Sequence, residues 1–392
     1  MPAAVRSPNR GRPPPMTAPE KSGRFPRLDL LRGLAIAAVV MHHFLLTFTP
    51  LGVPAELAPA LGAANRWLFL PHELGYLGVK LFFVVSGFCI HNSYLGWRRR
   101  TAAPTVSGFL LSYINRRFWR IYPPYAVALL LAFAIAYWPT FDLRALRHLA
   151  FGASLLHTLS EPFYFNINPA FWSIAVEWQL YLVYPLVLWL NRRYGASATM
   201  AVTAATAAFW HYGLPHLTAN WAILHLPFRW WLEWCLGFWI AELLAHDRVA
   251  IPRARLLVVA LLPVAAFALV RGGAWSPLGW VAAPLAFAAA LQTACADVRP
   301  LNLLERAVAA VGLSSYSLYL FHNPMLWLLR GLLRPFVAEL PPWVLWTFVF
   351  ALTFAAMQAV AWLLYRALEL PAIEVGKRVE RTALPRLLPA TT

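Results

Sequence analysis

Apolar residues occur along this chain in long runs, and each run is about as long as a membrane-spanning helix. A helix needs about 20 mostly apolar residues to cross the hydrocarbon core of a bilayer. Ten runs meet this requirement: 30–49, 74–95, 121–138, 170–190, 196–212, 229–246, 254–271, 277–296, 308–330 and 342–366. Alternation with the period of a β-strand is absent from these runs. The pattern therefore predicts an all-α, polytopic integral membrane protein with about ten transmembrane helices.

The amino-acid composition excludes an ordinary soluble domain. Of the 392 residues, 60% are hydrophobic and only 12% are charged, whereas soluble domains are about 45–50% apolar and about 25% charged. The three cysteines lie inside apolar runs and lack the spacing of a zinc site or a disulfide framework. We therefore predict no metal site, and we interpret the cysteines as small buried hydrophobic residues.

The net charge of +17 would by itself suggest a nucleic-acid partner. The distribution of the basic residues along the chain explains this net charge in a different way. If the N-terminus is cytoplasmic, all but eight of the 33 lysines and arginines fall in or beside cytoplasmic segments; the eight are Arg66, Lys80, Arg144, Arg147, Arg229, Arg271, Arg330 and Arg334. This bias follows the positive-inside rule. We therefore predict that both termini are cytoplasmic and that no nucleic acid binds.

The predicted spans divide the chain into three parts. Residues 1–26 are rich in Pro, Arg and Ser and are typical of a disordered basic tail. Residues 27–370 form the membrane domain, and residues 371–392 form a second basic cytoplasmic tail. The longest connection on the other side, 139–169, is expected to re-enter the membrane or to cap a cavity.

Polar groups inside a membrane span are costly and tend to mark functional sites. Arg32 and His43 are eleven residues apart, close to three helical turns, so they share one helix face. Asp29 precedes Arg32 by three residues and can pair with it. A histidine bonded to a neighbouring helix is the structural alternative. We favour a functional face, because the histidine and the arginine are aligned within one span.

Two further charged residues lie at a depth similar to that of His43. Lys80 and Glu177 are each about 10 Å from the outer end of their spans, judged by helical rise. The shared depth suggests that the three side chains meet in a functional cluster. A structural Lys–Glu pair, or a lysine that reaches the interface, is the simpler alternative.

Three more local patterns have both a functional and a structural interpretation, or a structural one alone. The cytoplasmic start of the third span carries three arginines, Arg116, Arg117 and Arg120. They suit a phosphate clamp. Alternatively, they only fix the orientation of the span and contact anionic membrane lipids. Tyr316, Tyr319 and His322 recur every three residues along one helix ridge, which either lines a substrate path or packs. The pair Ser86-Gly87 is typical of a close approach between helices.

Together these residues resemble the acyltransferase 3 family of membrane O-acyltransferases. The motif pieces, in order from Arg27 to Pro324, are Arg27-Leu28-Asp29 with Arg32-Gly33 and His43; Gly78-Val79 with Leu81–Phe88; Arg117–Pro123; Trp172-Ser173 with Glu177 and Tyr181; and Tyr316–Leu320 with His322. Their joint order in a ten-span chain makes the resemblance specific. At the position of Lys80, other members often carry Asp or another polar residue.

The resemblance implies a fold and an activity. The helices would surround a central polar cavity that reaches both faces of a bacterial inner (plasma) membrane. The reaction would move an acyl group, such as acetyl, from cytoplasmic acyl-CoA to a hydroxyl of a carbohydrate or a lipid-linked glycan, without a metal. Only 26 residues follow residue 366, so we expect a stand-alone form without the extracytoplasmic hydrolase-like domain of some members.

The resemblance also implies roles for individual residues. His43 has the pKa range of a general base, Glu177 would orient the imidazole or the acceptor, and Arg32 would link the donor's phosphates to its thioester arm. The residues expected to hold the CoA phosphates are Arg116, Arg117 and Arg120. The residues expected to bind substrate are Asp29, Lys80, Trp172, Ser173, Tyr181, Tyr316, Tyr319 and His322.

Two other functional classes remain open at this point. A transporter or flippase of a polar or lipid-linked substrate also places charges near the middle of the membrane. Such proteins usually contain inverted repeats, and no internal repeat is visible in this chain. A non-catalytic membrane scaffold is the third class, and it leaves the shared depth of the charged residues unexplained.

Overall fold

A computed structural model describes residues 25–52, 70–100, 106–246, 248, 251–271, 276–337, 340 and 344–382. The predicted N-terminal tail and the last ten residues of the chain lie almost entirely outside this part. The longer helices are α1 Pro26–Gly52, α2 Leu70–Arg100, α3 Val106–Tyr137, α4 Leu143–Ser154, α5 Phe171–Ala208, α6 Trp231–Ala245, α7 Ala254–Arg271, α8 Ser276–Ala296, α9 Leu303–Leu313, α10 Ser315–Val337, α11 Phe350–Leu364 and α12 Leu370–Thr382.

Short helical turns join several of these helices. They are His157–Leu159, Glu161–Phe163, Phe209–Gly213, Leu214–His216, Trp221–Leu224, Pro227–Trp230, Leu345–Val349 and Tyr365–Glu369. The described residues contain no β-strand. The predicted all-α, polytopic class is therefore confirmed.

Within the described ranges, six helical segments are long and apolar enough to cross a membrane. They are Pro26–Phe48, Gly75–Arg100, Gly108–Tyr137, Phe171–His216, Pro277–Ala296 and Thr347–Thr382. The predicted number of ten is not confirmed. One reason is that Phe171–His216 contains two of the predicted spans, because Gly195 has a φ of 87° and interrupts the helix there. This left-handed conformation favours glycine.

Helix α1 packs against α2, α9 and α10. Ile36, Val40, Phe44 and Phe48 recur every four residues, and each is completely buried. Residues with this spacing form one ridge along a helix. The long apolar run that predicts a span therefore also provides the surface that packs against the neighbouring helices.

The start of α1 is held by Arg27. Its guanidinium lies 2.9 Å from the Glu305 carboxylate on α9 and donates to the backbone carbonyls of Asp297 and Arg299 at 3.3 and 3.0 Å. Arg299 and Arg27 hold the pKa of the Asp297 carboxyl well below its usual range. The first arginine of the motif therefore joins α1 to the connection between α8 and α9.

Helices α2 and α6 touch backbone to backbone at a pair of glycines. A Cβ at Gly87 would overlap the carbonyl oxygen of Trp234, and a Cβ at Gly237 would overlap that of Val84. Small residues allow such contact between membrane helices. The close approach predicted for Ser86-Gly87 is confirmed.

We predict that Gly87→Ala lowers the thermal stability of the purified protein, because the added methyl forces α2 and α6 apart. Overpacking of this kind costs about 1–3 kcal/mol. The matched control is Gly331→Ala, since a Cβ at Gly331 meets no atom within 4 Å. Equal melting temperatures for the two variants in the same detergent would contradict the prediction.

The connection between α3 and α5 folds back on the bundle. Tyr125 donates a hydrogen bond to the carbonyl of Gly152 at 2.8 Å, and the Gln179 amide donates to the Thr158 hydroxyl at 2.8 Å. Near the start of α5, the Asn323 amide donates to the Asn168 side chain at 2.8 Å. The segment expected to re-enter or cap is therefore tied to α3, α5 and α10.

His157 lies buried in this connection, and burial lowers its pKa to about 4. In the unfolded chain the pKa is about 6.5. The neutral form therefore contributes stability at pH 7, and this contribution is lost as the pH falls from about 6.5 to about 4. We predict a loss of about 3 kcal/mol over that range. Thermal melts against pH should show a clearly weaker acid dependence for His157→Gln.

Residues after 370, predicted to form a tail, begin a helix that packs along α3. The Asn115 amide donates to the carbonyl of Gly376 at 2.8 Å, and Ser112 donates to the Glu380 carboxylate. A Cβ at Gly376 would lie 2.8 Å from the side chain of Trp119. Helix α12 is therefore part of the bundle up to Thr382.

Candidate active site

A cavity lies between α1, α2, α3, α5 and α10. Its lining residues are Arg32, Val79, Phe82, Phe83, Val85, Ser86, Cys89, Arg117, Arg120, Ile121, Ser173, Ile174, Glu177, Tyr181, Ser315, Tyr316 and Tyr319. About 130 Å³ is open to the centres of water molecules. One water needs about 10–15 Å³ on this measure, so the cavity has room for several waters or for a short acyl chain.

Arginines line one end of the cavity. Arg117 and Arg120 are three residues apart on α3 and therefore share a face, which they turn toward Arg32. Within the described residues, the buried Nε of Arg117 has no hydrogen-bond partner, and its guanidinium carbon lies 5.9 Å from the ring centre of Tyr181. This end of the cavity suits an anionic group.

Arg116, the third arginine predicted to bind phosphate, does not line the cavity. Its guanidinium lies 3.5 Å from the carboxylate of Glu380 on α12. The reason is helical geometry, because adjacent residues on a helix point about 100° apart. Arg117 and Arg120 remain the pair on α3 that the structure places in the cavity wall.

Arg32 makes the ion pair that its spacing predicts. Its guanidinium lies 3.7 Å from the Asp29 carboxylate one turn earlier on α1. Asp29 is not among the residues that line the cavity. The predicted pairing is therefore confirmed, and Asp29 holds Arg32 rather than facing the cavity itself.

Glu369 interacts with the arginines at this end of the cavity without lining it, and the sequence interpretation missed it. It is buried, accepts a hydrogen bond from the Ser317 hydroxyl at 3.1 Å, and interacts electrostatically with Arg120 and Arg32. The only feature of the sequence that could have pointed to Glu369 is its position as a carboxylate just after the last apolar run. Its partners become visible only when that run folds beside α3 and α10.

Glu177 lies in the middle of the cavity wall. Tyr181, one turn later on α5, donates its hydroxyl hydrogen to the Glu177 carboxylate. The Tyr181 hydroxyl also lies 3.0 Å from Ser86 on α2. The predicted residues Glu177 and Tyr181 thus face the same space as the arginines, joined by a serine that had been interpreted only as a packing residue.

Hydroxyl groups line the far side of the cavity. The Tyr319 hydroxyl donates to the carbonyl of Ala170 at 3.0 Å and lies 2.6 Å from the Ser173 hydroxyl. Tyr316 donates to the carbonyl of Ile121 at 2.8 Å. Both tyrosines of the predicted ridge on α10 therefore line the cavity together with Ser173.

His43 does not line the cavity. It contacts His322, whose ring centre lies 5.6 Å from that of the cavity residue Tyr319. Its Nδ1 donates to the carbonyl of Val39 at 3.0 Å, and its ring centre is 4.7 Å from that of His322. His322 in turn donates from Nδ1 to the carbonyl of Tyr319 at 2.7 Å. The buried Nε2 of His322 has no hydrogen-bond partner in the described part of the chain. His43 and His322 thus form a pair on the wall between α1 and α10.

Lys80 does not join Glu177 and His43, so the predicted cluster of three is wrong. Its ammonium group lies 2.5 Å from the Glu233 carboxylate on α6 and 3.7 Å from the ring centre of Trp280. Val79, Phe82, Phe83 and Ser86 form the helix stripe that faces the cavity, and Lys80 points away from it. The simpler alternative of a buried Lys–Glu pair holds, with a different glutamate.

Trp172 also lies outside the cavity. Its ring centre is 5.2 Å from that of Trp230, near the Lys80–Glu233 pair. Glu233 and Trp230 were not predicted as site residues. The sequence offered a reason to predict Glu233, because Arg229 and Glu233 are charged residues one turn apart at the start of a predicted span.

The comparison with known proteins agrees with this geometry. Residues 25–363 match the acyltransferase 3 family, which is described as an acyltransferase domain, and the chain belongs to that family. The resemblance inferred from the motifs is confirmed. No solved structure matches.

Curated relatives match parts of the chain. The O-acetyltransferase OatA of Staphylococcus aureus is 28% identical over 175 residues, which are 42% of this chain and 24% of that protein. The peptidoglycan O-acetyltransferase OatA of Listeria monocytogenes is 26% identical over 52% of this chain and 29% of that protein. Protein 2 in the picA locus of Rhizobium radiobacter is 30% identical over 47% of this chain and 90% of its own length. The matched region is therefore about a quarter of each OatA protein.

We predict that Lys80→Met lowers the free energy of unfolding by about 3–5 kcal/mol, because it leaves the buried Glu233 carboxylate without its cation. The double variant Lys80→Met/Glu233→Leu should recover most of this loss, since no buried charge remains. Thermal melts of the two variants in detergent measure the difference. A double variant as unstable as the single one would show that the ion pair is not the cause.

Proposed function

We propose that this protein is an O-acyltransferase that moves a short acyl group, such as acetyl, from acyl-CoA to a hydroxyl of a carbohydrate or lipid-linked glycan. The observation that carries the proposal is the cavity, which joins an arginine cluster at one end to Glu177 and to the wall of His43 and His322. Membership of the acyltransferase family and the names of the O-acetyltransferase relatives support it.

The arginine end of the cavity faces the cytoplasm in this proposal, in the inner (plasma) membrane of a bacterium. The starts of α1 and α3 both lie against the second half of α2, since Phe25 packs on Phe88 and Phe109 packs on Tyr94. All three of these segments carry arginines. The positive-inside rule places such clusters on the cytoplasmic side. Both termini then lie on the side where acyl-CoA is made and used.

The phosphates of acyl-CoA would bind Arg117 and Arg120. Guanidinium groups match the geometry of phosphate oxygens, and the unpartnered Nε of Arg117 offers a donor for them. Arg32, on the opposite wall, is held by Asp29 and would contact the donor where its thioester arm begins. Glu369 balances part of the positive charge before the donor binds.

The chemical step needs a base for the acceptor proton and donors for the developing oxyanion. His43 donates from Nδ1 to a backbone carbonyl, so the neutral ring carries its lone pair on Nε2. We propose that this Nε2 accepts the proton of the acceptor hydroxyl. The hydroxyl oxygen bonds to the thioester carbon as the bond to sulfur breaks, and CoA leaves as a thiolate that takes the proton back from the His43 imidazolium.

The remaining polar residues position the reactants. We assign Ser173 and Tyr319, whose hydroxyls line the cavity, to the carbonyl oxygen of the thioester. The Tyr319 hydroxyl would turn from the Ala170 carbonyl to donate to it. Glu177, held by Tyr181, would orient the acceptor hydroxyl. Because His43 is not in the cavity wall, the acceptor would reach His43 from the end opposite the arginines.

The test is transfer of radiolabel from acetyl-CoA into an alkali-labile ester in membranes that contain the full chain. We expect His43→Ala to lower the rate at least 100-fold, because general-base catalysis contributes about 10²–10⁴-fold. Arg117→Gln should raise the KM for acetyl-CoA much more than it lowers kcat. His216→Ala, on an exposed turn, is the matched control and should keep full activity.

Full activity of His43→Ala would overturn the role of His43. An equal loss in His216→Ala would show that the assay reports folding instead of chemistry. Label that crosses the membrane without forming an ester would favour the alternative of a transporter over an acyltransferase.

A further inference from the structure

A second group of charged and aromatic side chains lies at the end of the bundle opposite the arginine cluster. It forms where α2, α6 and α8 begin, around the ion pair of Lys80 and Glu233. Arg229 is a second cation of this group, and within the described residues it has no carboxylate within 4 Å. Because Lys80 neutralises Glu233, the group carries a net positive charge at Arg229.

Aromatic rings surround this charge. The Arg229 guanidinium carbon lies 5.2 Å from the ring centre of Trp280 and 5.8 Å from that of Trp230. Trp172 stands 5.2 Å from Trp230, and Tyr164 stands 6.2 Å from Trp172. Arg229, Trp280 and Trp172 are half-buried, so they form a rim over the buried Trp230.

Three buried polar atoms of this group have no hydrogen-bond partner in the described part of the chain. They are the indole nitrogen of Trp230, the hydroxyl of Tyr164 and the Nε of Arg229. Trp230 is 1% exposed and Tyr164 is 2% exposed. Buried polar groups are nearly always paired, so three unpaired ones together need an explanation. Two of them can only donate, so the partner they lack must supply acceptor oxygens.

We infer that this rim binds a sugar ring that carries an anionic group, either a carboxylate or a phosphate. Arg229 matches the charge and the planar oxygens of such a group. The half-buried ring of Trp172 suits the C–H face of a sugar, because aromatic rings are negative at their faces. The Trp280 ring, which contacts Lys80 at 3.7 Å and Arg229 at 5.2 Å, positions the guanidinium beside it. Binding sites commonly combine aromatic walls with a few placed polar groups in this way.

The position of the site connects it with the cavity. Phe83 lines the cavity, and its ring centre lies 6.0 Å from that of Trp230. A sugar held at Arg229 is therefore separated by two aromatic side chains, Trp230 and Phe83, from the space where the acyl group would arrive. The inference rests on the proposed function here, since it names the acceptor as an anionic carbohydrate.

The experiment measures binding by saturation-transfer NMR with the purified full chain in nanodiscs and no acyl donor. The probes are glucuronic acid, glucose 6-phosphate and glucose. We expect saturation of the ring protons of at least one charged sugar, and a signal at least five-fold weaker for neutral glucose. The relative signals of the two charged probes distinguish a carboxylate from a phosphate.

Two variants locate the site. Arg229→Gln should remove most of the signal, and Arg330→Gln, the same change at an exposed arginine on α10, should leave it unchanged. Trp280→Leu should weaken the signal even if Arg229→Gln folds poorly, because it removes the ring and keeps the charge.

Equal signals from glucose and the charged sugars would overturn the inference, as would no signal from either charged sugar. A signal that survives both Arg229→Gln and Trp280→Leu would do the same. Because no donor is present, binding without acyl transfer in the radiolabel assay would overturn the proposed function and leave this site intact.

Discussion

The interior of this helical bundle excludes water, so a charge inside it must face a partner or a wet space. Arg27 faces Glu305, Lys80 faces Glu233, and Glu369 faces Arg120. Each pair joins helices that are far apart along the chain. Glu177 differs, because its hydrogen-bond partner is the Tyr181 hydroxyl and no cation lies within 4 Å among the described residues. This difference distinguishes Glu177, a carboxylate in the cavity wall, from the carboxylates whose cation partners join helices.

The same constraint explains why the two polar regions lie at opposite ends of the bundle. One region collects arginines where α1 and α3 begin and is partly neutralised from α12 and the turn before it. The other collects aromatic rings around Arg229 where α2, α6 and α8 begin. Between them stand Phe83 and Tyr319, which line the cavity and separate it from Trp230 and His322. A donor and an acceptor that approach from opposite sides would meet across these two side chains.

Local spacing predicted several contacts correctly. Asp29 and Arg32 pair because they are one turn apart, and Gly87 meets α6 because small residues mark close helix contacts. The prediction that combined different helices by depth alone was wrong. Depth placed Lys80 with Glu177, but it does not specify direction around the helix axis, and Lys80 points toward α6. Its partner Glu233 is 153 residues away along the chain.

The sequence by itself determined the class of the protein, the positions of most helices and the family. These depend on apolar length, charge bias and ordered motifs, which are local or cumulative properties of the chain. Only the tertiary structure decided which polar groups share a space. It placed Arg117 and Arg120 in the cavity wall and Arg116 outside it, and it brought His43 into contact with His322. It also placed Glu369 near the arginines of the cavity and Arg229 among the aromatic rings at the opposite end. The physical reason is that a helix presents a new face every 100°, and the rotation of each helix is set by packing against its neighbours.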